Sequence, residues 1–240
     1  MTTKLYTIIF LLMLNIIVLG QKNIKLFTSF NYCNYSLSDL KKQQSEVLNG
    51  LITENIPAKI TDSYPAYFGF KGGFLISLIE KEKSTFSIGP SIQHFSSGGR
   101  IHYQDYSGKV VMDQLVNSTG IGAVVQYEIH SSSNFDLGLN FTLNYFFSGF
   151  ENNLQFQVGS STQSENLEFS STSFGLEPEI IPSFKIGIIQ IGASISYLIY
   201  SSSNLEFDDI SEAYLVFENG NKVNLEWSGF RLGFYTSLNL

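Results

Sequence analysis

Between Phe135 and Ser148 the chain alternates with a period of two residues. Phe135, Leu137, Leu139, Phe141, Leu143, Tyr145 and Phe147 occupy the odd positions. Asp136, Gly138, Asn140, Thr142, Asn144 and Ser148 occupy the even ones, with Phe146 the single large apolar exception. Successive side chains of a strand point to opposite faces, so this segment reads as a long strand with one apolar and one polar face. The pattern recurs at Phe86–His94, Ile121–Ile129, Ile189–Tyr197 and Phe230–Leu240. Read throughout, it predicts eight strands at 24–35, 65–79, 84–95, 116–130, 134–149, 171–185, 188–200 and 225–239. The predicted connections alternate between short (Glu80–Lys83, Ser131–Ser133, around Ile186) and long (36–64, 96–115, 150–170, 201–224). Short turns at one end and long loops at the other describe a single antiparallel, up-and-down, all-β transmembrane barrel with both termini at the short-turn end.

The first 20 residues stand apart. Lys4 is their only charge, Leu5–Leu19 is almost wholly apolar, and Gly20 precedes the polar Gln21-Lys22-Asn23. This pattern predicts a secretory signal peptide over 1–20 and a barrel domain over 21–240. No second apolar run is long enough for a membrane helix, so a membrane-embedded mature chain must close into a barrel. Without the signal the chain carries 13 basic and 21 acidic residues, a net charge of −8. That balance argues against a nucleic-acid partner, which calls for a basic stripe. A single cysteine, Cys33, excludes an intrachain disulfide.

Two further patterns refine the reading. Tyr32, Tyr35, Tyr64, Tyr67, Phe68, Phe95, Tyr145, Phe147, Phe150, Tyr197, Tyr200 and Trp227 fall beside the long loops. Phe86, Tyr127, Phe135, Phe184 and Phe234 fall near the short turns. These are candidate aromatic girdles at two membrane interfaces. The polar rows carry Lys25, Lys71, Lys185 and Arg231 against Glu128, Asp136, Glu177 and Glu179. An unpaired charge in a narrow lumen is costly, so balanced signs predict a filled, non-conducting interior in which Lys71 meets Glu177 or Glu179. Pro90, Pro178 and Pro182 all lie on the apolar rows of strand interiors, where a closed barrel offers no free edge. The segment 36–56 carries Leu37, Leu40, Val47, Leu48 and Leu51 at spacings that predict an amphipathic helix on the outer rim.

The polar rows consist mainly of Gly, Ser, Asn and Thr rather than Lys and Glu. That composition suits a crowded lumen better than a water-exposed surface. In this the chain resembles the small outer-membrane barrels, the OmpA- and OmpX-like group and similar barrels of the Bacteroidota. The resemblance covers about 21–240 and rests on pattern rather than a motif. It implies a bacterial outer-membrane location, insertion by the barrel assembly machinery, contact with outer-membrane lipids, and a structural, adhesive or complex-supporting role through the long loops, with a cell-envelope protein as partner. The final residue, Leu240, keeps the outward parity but replaces the aromatic that such barrels commonly carry.

No Walker loop, CxxC, HExxH or GxSxG is present, the histidines (His94, His102, His130) are scattered, and no cofactor or metal is implied. His94-Phe95-Ser96-Ser97 is similar to the His-x-Ser-Asn motif of outer-membrane lipid A deacylases. That resemblance supplies the alternative reading: His94 as base for Ser96, both facing lipid. Ser97 stands where that family has Asn, no Glu follows at its spacing, and Asp105 is a poor substitute for the orienting group.

Overall fold

The computed structural model describes residues 23–106, 108–132, 134–210 and 212–240; the expected signal over 1–20 lies outside them. Its strands are β1 (Ile24–Tyr35), β2 (Lys59–Ser63), β3 (Tyr67–Lys81), β4 (Ser84–Gln104), β5 (Gly108–His130), β6 (Phe135–Val158), β7 (Ser161–Ile186), β8 (Ile189–Tyr200), β9 (Ser203–Asn204), β10 (Glu206–Phe207), β11 (Asn224–Leu225) and β12 (Gly229–Asn239), with one helix, α1 (Ser38–Thr53). Eight of them form a closed antiparallel ring in the order β1-β3-β4-β5-β6-β7-β8-β12, returning to β1. The start of β1 and the end of β12 meet at the short-turn end, where the Leu240 N–H donates to the Ile24 carbonyl at 2.8 Å.

Burial assigns the faces. Along β6 the even residues from Asp136 to Phe150 are buried, and the odd ones are exposed or partly exposed. The polar rows therefore fill the cylinder and the apolar rows face outward, with Phe30, Phe141, Leu143, Phe174 and Leu232 each half exposed or more. Outward apolar positions on β6 run from Phe135 to Phe147. At ~3.4 Å per residue and a tilt near 40°, that run covers about 30 Å, the thickness of a hydrocarbon core. Among the described residues no helix is long and apolar enough to cross a membrane.

The ring is lopsided. β4, β5, β6 and β7 span 21, 23, 24 and 26 residues, whereas β1, β8 and β12 span 12, 12 and 11. The predicted loops 96–115 and 150–170 are in fact continuations of these four strands, β4 running to Gln104 before β5 starts at Gly108 and β6 to Val158 before β7 starts at Ser161. The alternation that marks the strands fails there for a physical reason. Above the rim the inward rows no longer face a polar lumen but a lid, so they become apolar: Ile101 and Met112 are buried with Val47, Leu48 and Leu51 of α1 packed against them. The helix lies within the predicted 36–56, and β2 pairs with β4 beside it. Segment 201–228 is no free loop either. It folds over the mouth through β9, β10 and β11, and Asp39 of α1 accepts the Asn224 N–H at 3.0 Å.

The prolines sit on two seams. In an antiparallel strand the N–H and C=O of one residue point to the same side. On β7 the even residues point toward β8, since the Phe174 carbonyl accepts from Ser201 N. Pro178 and Pro182 are even, and the β7–β8 ladder skips both, whereas the β6–β7 ladder runs unbroken past them. Pro90 interrupts β3–β4 in the same way and leaves β4–β5 intact. Each proline thus costs one neighbour only, and its ring lies on the apolar outer surface.

Candidate functional site

The lumen is built in layers, and every predicted lumen charge points into it. Nearest the short turns, Lys25 Nζ lies 2.8 Å from both oxygens of Glu128, and Lys185 Nζ lies 2.8 Å from Asp136 Oδ2. Gln190 donates to Glu128 at 2.7 Å and also to Asp136. His130, which the sequence alone places at a turn, joins this layer: its Nδ1 is 2.7 Å from Asp136 Oδ1 and its Nε2 is 2.9 Å from Thr85 Oγ1. Glu128, His130 and Asp136 bring potential metal-ligating atoms within 4.8 Å of one another. Lys25 and Lys185 already neutralise the two carboxylates, so the cluster is a closed ion-pair network and a poor cradle for a further cation.

At mid-height Lys71 Nζ lies 2.9 Å from Glu179 and 3.4 Å from Glu177, and Arg231 Nη1 lies 3.1 Å from Glu177. Ser196 donates to Glu177 at 2.9 Å, Asn140 to Glu179 at 3.1 Å, and Ser194 also to Glu179. Arg231 Nε donates to the Tyr35 hydroxyl at 3.0 Å, and its guanidinium lies 4.6 Å from the centre of the Phe95 ring. That cation–π contact joins the charged layer to an apolar one.

The third layer is a plug. Tyr35, Phe95, Phe146, Phe150, Leu198, Tyr200 and Trp227 point inward and pack against Leu37 and Leu40 of the α1 region and Leu205, Val223 and Leu225 of the lid. Six residues expected in the outer girdle, Tyr35, Tyr64, Phe95, Phe150, Tyr200 and Trp227, are therefore buried in the interior. Position along a strand gives height, but parity gives face: Phe95 shares parity with Gln93, and Phe150 with Ser148. The outer girdle retains Tyr32, Tyr67, Phe68, Tyr145, Phe147 and Tyr197. The other retains Phe86, Tyr127, Phe135, Phe184 and Phe234. Burial pushes the Tyr64 hydroxyl pKa up and keeps it a neutral donor to Gln114 at 2.9 Å. The Phe146 ring is held between Gly120 and Gly175, where an added Cβ would lie 2.5 Å and 2.7 Å from ring atoms. Gly120→Val should cost about 1–3 kcal/mol by overpacking, read as unfolding at lower denaturant.

His94 and Ser96 lie on the outward parity of β4 at the rim. His94 Nδ1 is 3.0 Å from Thr119 Oγ1, and among the described residues no carboxylate hydrogen-bonds this imidazole. Asp105 lies at the tip of the β4–β5 hairpin, accepting from Tyr103 and Gly108. Ser96 lines a shallow groove of about 580 Å³ with Asp62, Tyr67, Arg100, Asp113 and Glu151, and His94 does not reach it. The structure thus does not assemble base, nucleophile and orienting acid.

Apolar rows outward, a packed polar interior and closure of the sheet define the chain as a small β-barrel of the outer-membrane type. A solved structure agrees on this fold: the major outer membrane protein of Thermus thermophilus superposes with a TM-score of 0.53 at 9% identity, over 90% of this chain and 99% of that one. The outer membrane protease OmpT of Escherichia coli gives 0.43 at 9% identity over 91% and 97%. Ail, the attachment invasion locus protein of Yersinia pestis, gives 0.34 at 11% identity over 92% and 99%. No family model matches the sequence, and no curated protein matches it.

Proposed function

We propose that the chain is a non-enzymatic bacterial outer-membrane protein, exported by its N-terminal signal and inserted by the barrel assembly machinery. In this reading its sealed barrel is a platform, and its work is done by the β4–β5 and β6–β7 hairpins and the lid, held outside the cell to support adhesion or an envelope complex. One observation carries the reading. The lumen is closed by ion-paired charge layers and an apolar plug, whereas the four longest strands continue about 25 Å beyond the membrane belt. A pore would need the first feature reversed, and a mere anchor would not need the second.

The test combines fractionation with conductance. The processed protein should appear in the outer-membrane fraction, with the hairpins cleavable by protease added to intact cells. In planar bilayers it should pass no stable current. A folded, detergent-free periplasmic species, or large steady conductance, would overturn the proposal.

A further inference from the structure

The surplus negative charge of the mature chain is confined to the part beyond the long-strand rim. Segments 36–66, 97–115, 151–170 and 201–228 together hold 15 acidic and 6 basic residues. Within 151–170 and 201–228 the count is nine acidic to one basic, and that one, Lys222, lies 3.2 Å over the Tyr214 ring. In the β6–β7 register Glu151 stands directly opposite Glu168, and neither forms an ion pair among the described residues. Like charges placed directly across a ladder are unfavourable unless something cationic lies against them.

The same hairpin carries an open edge. The Asp208 N–H bonds the Glu168 carbonyl, and β10 pairs with Phe169 and Ser170. Glu168 therefore points away from β6, and by strand parity so do the N–H and C=O groups of Thr162, Ser164 and Asn166. Among the described residues no strand pairs with β7 over Ser161–Leu167 on that side. Proline, bulge and lysine are all absent there, and Glu165 is the one charged side chain on the edge. On the inner face beside the edge, Leu154 and Phe156 of β6 join Gln163, Ser164 and Glu165 around a depression of about 510 Å³.

We propose that this edge is a docking site for an extended, lysine- or arginine-rich segment of another protein, added to the sheet as a strand alongside Thr162–Asn166. Edge groups supply the backbone bonds, the Leu154/Phe156 depression takes an apolar side chain, and Glu165, Glu168, Glu151 and Asp208 select for positive charge. Those acids also oppose pairing with a second copy of this chain, because antiparallel β7–β7 contact centred between them would set Glu165 of each copy opposite Glu168 of the other. The inference rests on the platform reading and names the chemistry of its partner.

The test uses the mature barrel in phosphatidylcholine nanodiscs and, as probe, a synthetic peptide of alternating lysine and valine. A glutamate–valine peptide serves as control. Binding should be salt-sensitive and specific to the lysine peptide. Ser164→Pro removes an edge donor without touching the β6 ladder, and should weaken binding by about tenfold or more, as expected for lost edge hydrogen bonds. Thr162→Pro should do the same, and Glu151→Gln with Glu168→Gln should flatten the salt dependence. Heat-modified gel migration, unchanged from wild type, verifies that each variant remains a folded barrel. Four results would overturn the proposal: no binding by the wild type at millimolar peptide, equal binding by both proline variants, equal binding of the glutamate peptide, or a dimer that Ser164→Pro abolishes. All four can occur in a correctly inserted, non-conducting barrel, so failure here is distinct from failure of the platform reading.

Discussion

Glu177→Leu is expected to destabilise the barrel by about 3–5 kcal/mol, the cost of orphaning buried charge. Glu177 is fully buried and touches Lys71 at 3.4 Å, Arg231 at 3.1 Å and Ser196 at 2.9 Å. Its loss leaves Arg231 without a carboxylate and Lys71 with Glu179 alone. The measurement is the temperature at which the compact, heat-modifiable gel band is lost. Replacing the whole group with apolar residues, Lys71→Met, Glu177→Leu, Glu179→Leu and Arg231→Met together, should recover most of that loss, because no charge is then left unpaired. If the single variant melts with the wild type, the mid-height layer contributes little to holding the barrel closed.

Trp227→Ala should be comparably severe, at about 3–5 kcal/mol, the usual cost of truncating a large buried aromatic. Trp227 is fully buried, and its ring meets Tyr35 at 5.0 Å and Phe95 at 4.8 Å, both edge to face. It is also the only tryptophan in the chain, so intrinsic fluorescence reports the plug directly. Emission should be blue-shifted and insensitive both to acrylamide and to brominated lipid tails, since the ring touches neither water nor hydrocarbon. A tryptophan in the outer girdle would instead be quenched by the brominated lipid, so the measurement separates the two placements.

The two variants sample the legible and the hidden parts of the interior. The charge layers can be read because Lys71, Glu177, Glu179 and Arg231 interrupt rows otherwise made of Gly, Ser and Asn, and a confined lumen demands balanced signs. The plug is harder to see. Phe146 is visible as the one bulky residue on the polar row of the predicted strand 134–149, and it is where the plug begins. Tyr35, Phe95, Phe150 and Tyr200 carry the same parity signal, but aromatics at a rim also fit a lipid interface. The strand extensions escape detection because their inward rows turn apolar at Ile101 and Met112, where the neighbour changes from lumen to helix. That change depends on α1 folding back over β4 and β5, a contact between distant parts of the chain that local periodicity does not encode. His130 is hidden because its partners come from three separate strands, Thr85 of β4, Asp136 of β6 and Lys185 of β7, set beside it by the pairing of β4 through β7.

The prolines give the wall an uneven strength. The proline-interrupted joints, β3–β4 and β7–β8, lie diametrically opposite each other, and they divide the ring into the four long staves β4–β7 and a shorter group, β8, β12, β1 and β3. Between the long staves every rung is intact. The cylinder is thus two stiff half-shells meeting along two thin joints. Any breathing of the wall concentrates at those joints, and the half-shell that carries the hairpins moves as one rigid body.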